Sequence, residues 1–329
     1  MTEIDSLSVK KNHYKFDSDL ANENYIKFSY CQVLIMKLLV TFVFAFLAVS
    51  AFAEDNFEID WSTVVPMTET PGFWEGRDFQ PAPFSGRGGR IVGGSVAVPN
   101  AHPYQVGLLA RVNIISTGLC GGSIIAPRVI LTAAHCVTGT QSIQVVMGAH
   151  RLTTATEPSQ QRQTVLPAGY RVHVGYNPQT LLNDIATLIM PNAAVFNQFV
   201  QPSVLPSGSE INNLFVGTLA TVSGWGRIND GSSATAQDLR FVRNNIMTNA
   251  ICANTFGDII QPSNICMETT NGGSACNGDS GGPLTVSSGG RLIQVGIVSF
   301  GASAGCERGF PAVFVRVSSL LEWIAQNSS

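Results

Sequence analysis

Cys276-Asn277-Gly278-Asp279-Ser280-Gly281-Gly282-Pro283 puts a serine, a neighbouring acid and three glycines into one short stretch. A hydroxyl becomes a useful nucleophile only with a base beside it and backbone N–H groups aimed at the oxyanion that forms. Glycines let a strained turn present both. Gly-Gly-Pro alone would read as an ordinary surface turn. The stretch therefore sends the search outward, for a base and for an acid to orient it.

Both lie upstream. Leu131-Thr132-Ala133-Ala134-His135-Cys136 ends a β-prone apolar run that begins near Val129, and Asn183-Asp184-Ile185-Ala186-Thr187-Leu188-Ile189 sets a carboxylate directly before another. One His, one Asp and one Ser occur in that order, each in its own context. On these three motifs the chain from Ile91 onward resembles the chymotrypsin-like (trypsin-type) serine endopeptidases, and in character the digestive chymotrypsin-like and collagenase-like proteases of insects. The resemblance implies that Ser280 is the nucleophile, that His135 takes and later returns its proton, and that Asp184 fixes the imidazole tautomer. It also implies an oxyanion hole from the N–H groups of Gly278 and Ser280, and a contact between Ser299 and Asp184. His102, His150 and His173 lack such contexts and read as surface or packing residues.

Short runs rich in Val, Ile, Leu and Thr (105–109, 142–147, 163–165, 186–190, 219–224 and 292–299) alternate with Gly, Pro, Asn and Ser clusters. That cadence is all-β, and pattern alone does not choose between sandwich and barrel. The resemblance implies two six-stranded antiparallel β-barrels with the triad in the cleft between them. A helix is expected over 318–327, where Ser319-Leu320-Leu321-Glu322 fits a capping box.

The first 90 residues differ in kind. Met36-Lys37, the apolar run 38–52 and Ala51-Phe52-Ala53 read as a secretory signal peptide over 36–53; an apolar stretch counted from Val33 is interrupted by Lys37, and the uninterrupted part is short for a membrane anchor. Residues 1–35 then read as an upstream extension, 54–90 as an activation propeptide and 91–329 as the protease domain. Secretion suits the cysteines: Cys31 lies upstream of the signal and leaves Cys120, Cys136, Cys252, Cys266, Cys276 and Cys306, an even set. Sequence alone leaves their pairing open; the resemblance implies Cys120–Cys136, Cys252–Cys266 and Cys276–Cys306. The propeptide carries seven acidic residues, three arginines and no cysteine, and ends Gly86-Arg87-Gly88-Gly89-Arg90 before Ile91-Val92-Gly93-Gly94. Flexible basic tips are where proteases nick. By resemblance, a trypsin-like activator cuts after Arg90, and the new Ile91 amino group pairs with Asp279.

Substrate choice is read the same way. Ser274, Ser299, Phe300, Gly301 and Ala312 align with the substrate-binding positions of the family. A neutral Ser274 at the pocket base disfavours Arg and Lys, because a buried cation would go unpaired. Small walls at Gly301 and Ala312 admit Phe, Tyr, Leu or Met at P1, the residue before the cut. All five lysines precede residue 38, leaving eleven arginines and ten acids from Ile91 onward. Arginine holds its charge beyond pH ~12, so this composition suits an alkaline gut lumen. A net charge of −3 with no basic run gives no sign of a nucleic-acid partner. No metal-ligand spacing occurs, and Glu157 is the sole acid in 150–164, so no cofactor or metal is expected. The expected partners are protein substrates, the activator and protein inhibitors of a monomeric enzyme. The alternative weighed is a catalytically inactive homologue serving as a binding or immune adaptor.

Overall fold

The computed structural model describes residues 36–37, 59–73, 75, 94–269 and 272–329. The chain divides into two compact units, Met1–Glu58 and Ile59–Ser329; in the first, only Met36 and Lys37 are described, helical and exposed. The expected signal peptide, and the Arg90–Ile91 bond, lie outside the described residues.

Fifteen strands are described. They are β1 (Val64–Pro66), β2 (Ser95–Val96), β3 (Gln105–Asn113), β4 (Ser116–Ala126), β5 (Val129–Thr132), β6 (Ser142–Met147), β7 (Gln161–Val165), β8 (Tyr170–Val172), β9 (Ala186–Ile189), β10 (Leu219–Gly224), β11 (Arg240–Met247), β12 (Asn264–Met267), β13 (Pro283–Ser288), β14 (Arg291–Phe300) and β15 (Ala312–Arg316). Among the described residues from Ile59 onward, two α-helices accompany them, α1 (Asn249–Phe256) and α2 (Leu321–Gln326).

The strands make two barrel-like sheets. In the second, the order β10-β13-β14-β15-β12-β11 closes through a β10–β11 ladder, with β2 added beside β11. This gives the six-stranded closure that the resemblance implied. The first runs β7-β6-β3-β4-β5-β9-β8, with β1 attached to β4. Its edge strands β7 and β8 are consecutive in the chain, joined through the corner 166–169, so the sheet curls back on itself. Alternation is clear in β11, where Val242, Asn244 and Ile246 point inward between exposed Arg243 and Asn245. Leu108, Ile124, Ile130, Val145 and Leu188 fill the first barrel, and Val222, Leu284, Val286, Ile293 and Phe314 the second.

β4 escaped the sequence reading because it is rich in Ser, Thr and Gly. Its glycines are there for close approach: a Cβ on Gly121 would lie 2.9 Å from Gly282 Cα, and Gly121 N–H donates to Ser280 O at 2.7 Å. This is where the barrels touch, beside the Gly-rich stretch. The C-terminal helix is present but shorter than expected. A 3₁₀ turn, Val317–Leu320, takes up the proposed cap, and no side chain caps α2. A capping box does form elsewhere, between Ser207 and Glu210.

Candidate active site

Each motif is placed by a strand end. β5 delivers His135 into the 3₁₀ turn Ala134–Cys136, where it is buried. Asp184 lies just before β9, the neighbour of β5, fully buried. Its Oδ2 accepts from His135 Nδ1 at 2.8 Å and its Oδ1 from His135 N–H at 2.9 Å. The carboxylate thus grips both ring and backbone of the histidine. Ser299, on β14, donates its hydroxyl to Asp184 Oδ2 at 2.6 Å. With Nδ1 committed as donor, Nε2 is the ring's basic atom. It is buried and has no hydrogen-bond partner among the described residues.

Ser280 sits in the turn before β13 and opens onto the same cavity as His135. Gly278, two residues earlier, has φ +99°, and a Cβ there would lie 3.0 Å from Gly226 Cα. Only glycine takes this conformation without strain. The N–H groups of Gly278 and Ser280 make no hydrogen bond among the described residues, whereas those of Asp279, Gly281 and Gly282 are satisfied internally. Two neighbouring donors thus stay available.

Asp279 turns the other way, into the body. It accepts from Gly226 N–H at 2.7 Å and Cys276 N–H at 2.9 Å. Burial pushes its pKa up from 3.8 to about 6, against those two hydrogen bonds. No cation faces it among the described residues. Gly224 and Gly226 make room for it, since a Cβ on either would lie within 2.6 Å of its carboxylate.

The cavity, of about 330 Å³, runs from His135 and Ser280 to Ser274, and is walled by Ser299, Phe300, Gly301 and Ala312. The pocket residues expected from sequence are therefore all brought together. Ser274 is buried and donates its hydroxyl to Ala275 O at 2.8 Å. Beside Gly301 a Cβ would meet nothing within 4 Å. Phe300 is held edge-on by Phe256 of α1, with centroids 5.5 Å apart. Three disulfides, Cys120–Cys136, Cys252–Cys266 and Cys276–Cys306, have the connectivity the resemblance implied. The first pins the His135 turn to β4, and the third ties the Ser280 loop to the pocket wall.

Three contributors were missed. Asp230 lines the cavity and accepts from Cys306 N–H at 2.8 Å and Glu307 N–H at 3.0 Å, bracing the wall after Gly301. Nothing in its sequence context marks it. Glu69 and Phe73, from the stretch read as propeptide, also line the cavity. The other described histidines lie apart: His102 packs on Tyr104 and Phe241, His173 on Trp323, and His150 beside Asp238. Glu157 is spent on its own loop, accepting from the N–H groups of His150 and Arg151 and from Gln160.

Residues 91–324 match the family model described as Trypsin. The chain belongs to the trypsin family of serine proteases. It is 41% identical over 234 residues to a protein named brachyurin from Leptuca pugilator, covering 71% of this chain and 96% of that protein. Chymotrypsin of Phaedon cochleariae is 39% identical (72% and 82% covered), and collagenase of Hypoderma lineatum is also 39% identical (74% and 90%). A solved structure of HL collagenase superposes with a TM-score of 0.65 at 38% identity, covering 72% of this chain and 97% of that one. The protease thus shares both sequence and two-barrel fold with enzymes that hydrolyse peptide bonds.

Proposed function

We propose that the protein is a secreted digestive endopeptidase, made as a zymogen, activated by cleavage after Arg90 and cutting after Phe, Tyr, Leu or Met. The observation that carries the catalytic part is the Ser299–Asp184–His135 relay, which ends on a bare Nε2 in the cavity that holds Ser280. In this reading Nε2 takes the Ser280 proton as Oγ attacks the scissile carbonyl, and returns it to the leaving amine. The oxyanion forms against Gly278 and Ser280 N–H, where losing one donor typically costs roughly 3–4 kcal/mol. An inactive adaptor would have no need of this arrangement.

Activation is supported by Asp279. A buried carboxylate that no cation faces among the described residues is the complement of a new α-amino group, and Ile91 supplies one once Arg90 is cut. Apolar P1 selectivity is supported by the neutral Ser274 and the open space at Gly301. Asp230, in the cavity lining, accepts one backbone N–H on each carboxylate oxygen, so its role is to hold the wall. Residues 36–53 serve as the signal peptide. Among the described residues no helix is long and apolar enough to cross a membrane. Protein inhibitors and an alkaline gut lumen complete the reading, the second resting on a lysine-free mature chain. The test is a P1 scan with peptide nitroanilides, from pH 6 to 11, on trypsin-treated protein. Preference for Arg over Phe would overturn the pocket assignment, and full activity of trypsin-treated Arg90→Gln the activation site.

A further inference from the structure

The stretch 59–75 precedes the family domain, yet it packs into the protease cleft. β1 runs parallel to β4, with Val64 opposite Thr117, Val65 opposite Gly118 and Pro66 opposite Leu119. Adding a strand to a sheet edge gives affinity through the main chain and leaves selectivity to the side chains. The side chains here are closely fitted. Met67 is 2% exposed, and a Cβ on Gly118 would lie 2.8 Å from its sulfur. Ile59, Trp61 and Val64 cover the cluster around Leu119 and Trp225. Glu69 accepts from Asn277 Nδ2 at 2.9 Å and pairs with Arg227. Phe73 stands edge-on to the His135 ring, with centroids 5.9 Å apart and planes at 84°.

A leader that only had to be cut away would need none of this. Moreover, every one of these contacts lies before residue 76, so cutting at Arg90 severs the tether and breaks none of them. Residues 54–76 contain no Lys or Arg, and a trypsin-like activator therefore leaves the segment whole even if it also cuts at Arg77 or Arg87.

We propose that segment 59–75 is a built-in peptide inhibitor that stays bound after activation. It docks on the β4 edge at Thr117–Leu119 and on Arg227 and Asn277, and it stands in front of His135. The proposal rests on the reading of Arg90 as the activation site. While tethered, the segment faces the cleft at an effective concentration of about millimolar; once cut, it is present only at the concentration of the protein itself. Activation thereby becomes two steps, a cut and a dilution. The enzyme is held in check in a concentrated secretory store and released on dispersal.

The experiment activates the full chain with trypsin at high concentration and dilutes it into a small chromogenic peptide substrate. Expected are a lag after dilution, specific activity that rises as protein concentration falls, and co-elution of the prosegment with the enzyme on gel filtration. Synthetic peptide 59–75 added to diluted enzyme restores inhibition, and peptides with Glu69→Ala or Phe73→Ala do so at least about tenfold less well. Full activity at once at every concentration, together with indifference to the peptide, overturns the proposal. A serine-directed covalent inhibitor separates the two levels. Enzyme that reacts stoichiometrically and cleaves substrate but ignores the peptide refutes only the inhibitor. Enzyme that neither reacts nor cleaves, after the segment has been washed away, refutes the activation reading as well.

Discussion

Asp279 offers the sharpest quantitative test. Its carboxyl is buried, and its pKa is raised from 3.8 to about 6 by desolvation, partly opposed by the N–H groups of Cys276 and Gly226. The folded chain therefore keeps this proton longer than the unfolded chain does. Between pH 4 and 6 unfolding releases a proton, so stability falls as pH rises through that window and levels off above it. Two pKa units correspond to about 3 kcal/mol. The measurement is urea unfolding of the uncut Ser280→Ala precursor from pH 4 to 8, with and without Asp279→Asn. Asparagine cannot ionise, so the stability gap between the two proteins isolates this one group. It should move by about 3 kcal/mol in favour of asparagine as pH rises. After cleavage at Arg90 the sign should reverse, because breaking a buried ion pair costs about 3–5 kcal/mol. A gap constant to within about 0.5 kcal/mol across the window in the precursor would refute the view that this carboxylate is buried without a cation.

Further outcomes follow from particular contacts. Ser299→Ala removes a hydrogen bond to the Asp184 carboxylate worth about 1.5–3 kcal/mol, so kcat should fall roughly ten- to a hundredfold with KM little changed; an unchanged kcat would detach Ser299 from the relay. Gly301→Val places methyls in the open pocket and should abolish cleavage after Phe while sparing Ala at P1, read from kcat/KM on paired nitroanilides. Replacing Cys276 and Cys306 together with Ala should cost about 2–5 kcal/mol in denaturant unfolding and lower activity, since the bridge joins the Ser280 loop to the pocket wall. The lysine-free mature enzyme should keep its activity to near pH 10, and a collapse above pH 8 would count against an alkaline lumen.

The catalytic constellation was legible because each member carries its own local chemistry. Glycines flank Ser280, an apolar strand leads to His135, and another follows Asp184; these patterns survive in one dimension. Ser299 and the pocket walls came through resemblance, and the structure sets them around one cavity. What stayed hidden was set by approach in three dimensions. β4 looks like a loop because its glycines answer to Gly282 and Met67, residues far away in the chain. Helix α1 has a sequence too mixed to signal itself, and Thr248 marks its start only through a hydrogen bond to Ile251 N–H at 3.2 Å. Asp230 is an ordinary loop aspartate until the Cys306 turn is folded against it. The supposed cap at Ser319–Glu322 failed for a local reason: the chain tightens into a 3₁₀ turn first, and the helix begins beyond it. β1 was invisible as a strand because the stretch was read only for its cleavable end.

The last helix joins what the barrels divide. Although α2 follows β15 of the second barrel after a single 3₁₀ turn, Ile324 and Val317 are buried in the core of the first, and Thr187 of β9 donates its hydroxyl to Asn327 O. The chain thus ends as a buckle across the seam. A seam fastened in this way does not gape to swallow a folded domain, so the substrate must do the bending. Segments that are already loose, or that heat, acid or a first cut has freed, are the ones this groove can take. The order in which a substrate protein is cut is then set by that protein's own local stability as much as by the enzyme's preference in side chains.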